Sequence, residues 1–134
     1  MSAAAIVPYH SITPFARGDG VETRLMIGRG RVDDPPFTTG TTVFPPGMKA
    51  PMHSHNCDEQ VTVLEGRARA EVAGVATELG PMDTSFIPAE VPHRFLNIGK
   101  GPLKILWIYA AAHVTRTFTE TGETVPHLSP GDKV

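Results

Sequence analysis

No stretch of this chain carries a convincing long helical period, and its apolar residues come in short runs closed by breakers. Val21 to Ile27 is followed by the polar loop Asp33-Asp34-Pro35-Pro36. Thr38 to Phe44, rich in β-branched residues, stops at Pro45-Pro46-Gly47. Gln60 to Leu64 ends at Glu65-Gly66. Arg67 to Val72 alternates charged and apolar residues, turns at Ala73-Gly74, and returns as Val75 to Leu79. Thr84 to Ile87 ends at Pro88, and His93 to Asn97 precedes the turn Gly99-Lys100-Gly101-Pro102. Leu103 to Tyr109 and Val114 to Phe118 complete the set. Period-two patterning between such punctuation predicts strands. The 13 glycines and 13 prolines in 134 residues supply the turns. The expectation is an all-β sandwich or barrel in one domain, with the barrel over residues 21–119. Residues 1–20 read as an amino-terminal extension and 120–134 as an irregular tail, either one free to pair with a second subunit or stay mobile.

Composition removes several classes. Charged residues make up 19% of the chain and the formal net charge is −2, with no run of Lys or Arg. Nucleic acid is therefore not an expected partner. The longest apolar run, Ile105 to Ala112, is far too short to cross a bilayer. The first residues lack the basic start and long apolar stretch of a signal peptide. The single cysteine, Cys57, allows no intramolecular disulfide, and a cytoplasmic setting is expected. Exposed edge strands call for cover, and a homodimer is the expected assembly.

The chemistry concentrates in Gly47 to Glu59 and around His93. On an extended chain His53 and His55 point to the same side. Glu59 returns to that side if the segment stays extended. His93 must be delivered by an adjacent strand. That parity sends Val61, Val63, Phe95 and Asn97 inward, and Gln60, Thr62 and Arg94 outward. Three imidazole nitrogens and one carboxylate suit a divalent first-row metal.

These residues resemble the motifs of the cupins, small double-stranded β-helix barrels of jelly-roll type. The first cupin motif is matched throughout: Gly47, His53, His55, Glu59 and Gly66 stand at its spacing. In the second, Pro88, His93 and Asn97 fit, while Met82 and Glu90 stand where the motif has glycines. A glycine there supplies a positive φ, so Met82 and Glu90 imply a different turn or some strain. The resemblance implies one metal held by His53, His55, Glu59 and His93. Four protein ligands leave two positions of an octahedral ion for water, O2 or a bidentate substrate. Fe, Mn, Ni, Co and Zn all remain compatible with the donors.

Around the motifs, each residue has a duller reading. Cys57 reads as a small packed residue, with a soft extra ligand as the alternative. Phe44, Met52, Phe86, Phe95, Trp107 and Tyr109 read as barrel core that also offers a cavity lining. Tyr109 is the acid/base or supporting candidate. Lys49 and Arg94 are the cations an anionic substrate would meet, if they are not simply solvated. His10, His113 and His127 read as surface or interface residues. No Ser-His-Asp set, phosphate loop or dinucleotide fingerprint appears. The favoured activity is a metal-dependent, dioxygenase-like oxidoreductase acting on a small molecule. The alternatives are a non-oxidative decarboxylase, isomerase or lyase, and a non-catalytic ligand-binding or sensing protein.

Overall fold

A computed structural model describes residues 3–134. It contains twelve strands and a single 3-10 turn, Tyr9–Ser11. The strands are β1 (Phe15–Gly18), β2 (Val21–Ile27), β3 (Thr38–Phe44), β4 (His53–His55), β5 (Glu59–Glu65) and β6 (Ala68–Val72). They continue with β7 (Val75–Leu79), β8 (Thr84–Ile87), β9 (His93–Asn97), β10 (Leu103–Tyr109), β11 (Thr115–Phe118) and β12 (Thr124–Pro126). Two six-stranded sheets form, in the orders β1-β2-β3-β10-β5-β8 and β12-β11-β4-β9-β6-β7. Every pairing is antiparallel. This is the all-β jelly-roll barrel expected above.

The core follows from alternation. On β10, Leu103, Ile105, Trp107 and Tyr109 are buried, while Lys104, Leu106 and Ile108 are half-buried on the other face. Trp107 pairs with Gly40 on β3 and Val61 on β5, and Tyr109 pairs with Glu59. Gly40 is required there, because a Cβ would collide with the Trp107 ring and the Arg24 carbonyl. Thr62 points outward as expected but is buried, its hydroxyl 3.0 Å from that of Thr84 on the neighbouring β8. Phe86 departs from the core expectation. It lies on the outer face of edge strand β8 and is 67% exposed.

The segments that read as least regular are built into the sheets. β1 lies within residues 1–20 and β12 within 120–134. Ahead of β1, Ile12 is buried and the Tyr9 hydroxyl meets Thr41 Oγ1 at 2.6 Å. After β12 the chain folds back so that Asp132 is fully buried. Short, polar strands like these carry little apolar period and gain their order from pairing with longer neighbours.

The two departures from the cupin motif keep the motif's backbone. Met82 has φ of 74° and Glu90 of 68°, so both occupy the left-handed region without being glycine. Each is tied by a backbone hydrogen bond, Met82 N–H to the Val63 carbonyl (2.6 Å) and Glu90 N–H to the His55 carbonyl (2.8 Å). Both turns therefore take the left-handed backbone a glycine would favour, at a strain of about 1–2 kcal/mol each.

Candidate metal centre

Strands β4 and β9 meet at one register pair, His53 opposite His93. His55 lies two residues along β4, on the same face, and Glu59 opens β5 in the facing sheet. One ring nitrogen from each of His53, His55 and His93 lies within 4.8 Å of the others. Glu59 Oε1 is 3.0 Å from His93 Nε2 and 3.7 Å from His55 Nε2. All four side chains are buried. The structure thus clusters the three imidazoles, with Glu59 against two of them. Two donors held about 2.1 Å from one ion stand about 3–4 Å apart, so the cluster is close to a coordination shell.

Backbone carbonyls orient the rings. His53 Nδ1 donates to the Pro51 carbonyl (2.6 Å), His55 Nδ1 to Thr115 (3.0 Å) and His93 Nδ1 to Val91 (2.9 Å). A proton committed to Nδ1 in all three leaves each Nε2 with a lone pair, the tautomer a metal requires. Burial holds His53 well below the ordinary imidazole pKa, and the Arg116 charge adds to it. Burial lowers His55 to about 4, outweighing the upward pull of Glu59. Both are thus neutral at physiological pH. Glu59 Oε1 is buried with no hydrogen-bond partner among the described residues. A buried carboxylate oxygen 3.0 Å from a ring nitrogen is costly unless a cation, or a proton on that nitrogen, lies between them. The residues fit a divalent metal.

A cavity of about 40 Å³ adjoins this cluster and opens in part to solvent. Phe44, Phe95, Trp107 and Tyr109 line it, as their core positions allow, whereas Met52 and Phe86 do not. The Tyr109 hydroxyl is 3.4 Å from His55 Nε2. Burial, with Glu59 close by, pushes its pKa well above 10, so it is suited to donate a hydrogen bond rather than to act as a base. Cys57 is buried and stands outside the donor cluster. Burial, aided by Glu59, raises its thiol to about 11.

Lys49 and Arg94 do not reach the cavity. Arg94 is outside, paired with Glu71 at 2.7 Å, and Lys49 is exposed. The cavity's cations are instead Arg17 on β1 and Arg116 on β11, which the sequence reading did not single out. Both donate to Asp132 Oδ1, at 2.8 and 2.7 Å. Arg17 Nε donates to Thr23 Oγ1, which meets Thr42 Oγ1, and Thr42 accepts from Trp107 Nε1. Burial works to raise the Asp132 pKa, but Arg17 and Arg116 outweigh it and bring it to about 2. His10 and His113 are exposed, as expected. His127 is not a surface group. Its half-buried ring packs edge-on against Trp107 and Tyr109, with centroids 5.0 and 5.1 Å apart. The only sequence hint to Arg116 was alternation along β11; its partner Asp132 stands in a segment without any strand period.

An antiparallel barrel with three converging imidazoles and an adjacent buried carboxylate defines a class of β-barrel proteins with a candidate metal centre. The comparisons make it specific: the Cupin domain model matches residues 40–109, and this chain belongs to the cupin family. An uncharacterized protein of Methanocaldococcus jannaschii, MJ1618, is 31% identical over 99 residues, covering 73% of this chain and 79% of that protein. Among solved structures, a sugar phosphate isomerase of the cupin superfamily from Silicibacter pomeroyi superposes with a TM-score of 0.73. It is 19% identical and covers 97% of this chain and 96% of its own. The polyketide cyclase RemF from Streptomyces resistomycificus gives 0.69 at 20% identity, covering 80% and 79%. An oxalate oxidase in complex with glycolate gives 0.65 at 17% identity, covering 75% and 56%. At these identities the structures share the fold. No helix among the described residues is long and apolar enough to cross a membrane.

Proposed function

We propose that the protein is a metal-dependent enzyme acting on a small organic molecule in the barrel cavity. The observation that carries this reading is the set of three clustered imidazoles, each with Nδ1 committed to a carbonyl, beside the buried carboxylate of Glu59. His53, His55, His93 and Glu59 would hold the ion. A bound Fe or Mn would supply a Lewis acid and a site for O2 beside the substrate.

The chain's own residues do the rest. Phe44, Val61, Phe95, Ile105 and Trp107 form an apolar wall that limits water around the reacting group. Tyr109 presents a protonated hydroxyl to the same space, suited to hydrogen-bond an anionic oxygen of the substrate. Open ligand positions in an apolar cavity favour oxygenase-type chemistry, in which substrate and O2 lie side by side. The fold is shared with a sugar phosphate isomerase and a polyketide cyclase, and a non-oxidative isomerase or lyase is the second reading. The test is reconstitution with Fe2+ or Mn2+ and a panel of small organic acids, following dissolved oxygen and product together. Substrate-dependent oxygen uptake supports the first reading. Product formation with no oxygen consumed overturns it in favour of the second.

A further inference from the structure

The cavity that gathers the histidines also has two guanidinium groups on its wall. Arg17 and Arg116 come from opposite ends of the chain, and both are buried. They share one acceptor, Asp132 Oδ1, at 2.8 and 2.7 Å. The other Asp132 oxygen accepts from the Leu128 N–H at 2.7 Å. The two cations thus share one carboxylate, and each also reaches a backbone carbonyl at 3.3 Å, Arg116 that of Lys133 and Arg17 that of Asp132. Arg116 Nε is buried with no partner among the described residues, and Arg116 Nη2 lies 3.4 Å from His53 Nδ1. That nitrogen already carries the proton donated to Pro51, so it is a poor acceptor for Arg116. An unmet buried donor is costly. An anionic group in the cavity relieves it.

The charge count points the same way. Arg17 and Arg116 supply two positive charges, and Glu59 and Asp132 supply two negative ones. Val134 at the carboxy terminus also lines the cavity, and a divalent ion adds two positive charges to a space already walled by two guanidiniums. We infer that Arg116, backed by Arg17, forms an anion-recognition wall that selects substrates carrying a carboxylate next to a metal-binding oxygen, as in 2-hydroxy and 2-oxo carboxylates. This rests on the metal reading above. The planar, permanently charged guanidinium is the group best shaped to hold a carboxylate. Asp132, which reaches the pair from the carboxy-terminal segment, sets how much positive charge that wall presents.

The test uses the full chain loaded with Mn2+, with glycolate as probe and glycolamide as its uncharged counterpart, both followed by calorimetric titration. Wild type binds glycolate in preference to glycolamide. Arg116→Gln retains one Mn2+ per chain and loses glycolate affinity by about tenfold or more, the worth of one charge-assisted hydrogen bond. Asp132→Asn keeps an oxygen for both guanidiniums, gives up the acceptor for the Leu128 N–H, removes the competing negative charge, and tightens glycolate. A purely structural Arg116–Asp132 pair would shift both variants in the same direction. Equal glycolate affinity in all three proteins at full Mn2+ occupancy, or a shift of the same sign in both variants, overturns the inference. Failure of wild type to take up Mn2+ overturns the metal reading, and this one with it. Should Arg116→Gln not fold, Arg17→Gln removes a positive charge from the same wall and is judged by the same outcomes.

Discussion

His53 and His93 face each other across the one register pair that joins β4 to β9, with their ring centroids 4.4 Å apart. They are forty residues apart in sequence, so the site exists only when these two strands are paired. Metal binding and closure of the barrel are therefore coupled, and an ion bound to the folded form raises its stability by mass action.

The first prediction concerns the ion itself. Protein purified without added metal and then given Mn2+ or Fe2+ should bind one ion per chain. His93→Ala and Glu59→Ala should each weaken binding by more than the 10- to 100-fold that loss of an outer partner typically costs. Elemental analysis after desalting reads this out. Unchanged metal content in both variants removes the site.

Tyr109→Phe should separate binding from turnover. The hydroxyl is not among the clustered donors, so metal content should stay within about threefold of wild type, whereas loss of a buried charge-assisted hydrogen bond to the reacting ligand should slow turnover by about tenfold. An equal fall in metal content and rate would show that the ring only packs.

Part of the acid sensitivity should trace to His127, alongside His53 and His55. Burial lowers the His127 pKa to about 3, with the Arg17 charge adding to the effect. The unfolded chain holds this group near 6.5. As pH falls the unfolded state takes the proton first, so the stabilisation is complete above about 6.5 and is lost progressively towards 3. Thermal melts of metal-free protein across that range should slope, and His127→Phe should make the slope shallower while His53 and His55 keep the remainder. Identical slopes in the two proteins would place the sensitivity elsewhere.

Removing Asp132 outright differs from neutralising it. Asp132→Ala leaves Arg17 and Arg116 buried with no shared acceptor, a change that typically costs about 3–5 kcal/mol. Urea denaturation is the measurement. A loss below about 1 kcal/mol would mean that the tail contributes little to closing the barrel.

The two strained turns give the opposite sign. Glu90→Gly and Met82→Gly should relieve the left-handed backbone at both positions. The gain of about 1–2 kcal/mol per residue is partly offset by glycine's extra freedom when unfolded, about 0.5–1 kcal/mol. A net stabilisation of up to about 1 kcal/mol is expected, with metal affinity unchanged. Destabilisation by either change would show that the side chains, rather than the turns, matter there.

Local pattern determined most of the strand map and the ligand set. The runs 21–27, 38–44, 75–79, 84–87, 93–97 and 103–109 begin and end in the structure where breakers and alternation place them, because period-two burial is a property of adjacent residues. His53 and His55 were legible for the same reason: parity along an extended strand aims them to one side. Glu59 was legible only from the motif spacing, because the chain bends at Asn56 and Cys57 and Glu59 reaches the site from the facing sheet. The glycine-free turns at Met82 and Glu90 were visible as departures, but only the backbone shows that their positive φ is retained.

Tertiary structure decided what depends on residues far apart. Asp132 lies in a segment with no strand period, yet it is fully buried and bridges Arg17 and Arg116 from two different sheets. Nothing local marks an inward arginine, since its burial is tolerable only once a distant carboxylate arrives to pair with it. For the same reason the cavity's cations proved to be Arg17 and Arg116, while Lys49 and Arg94 remained on the outer surface. Nearest-neighbour alternation chooses the face a side chain takes; charge compensation across the barrel chooses its partner, and that is settled only when the sheets close.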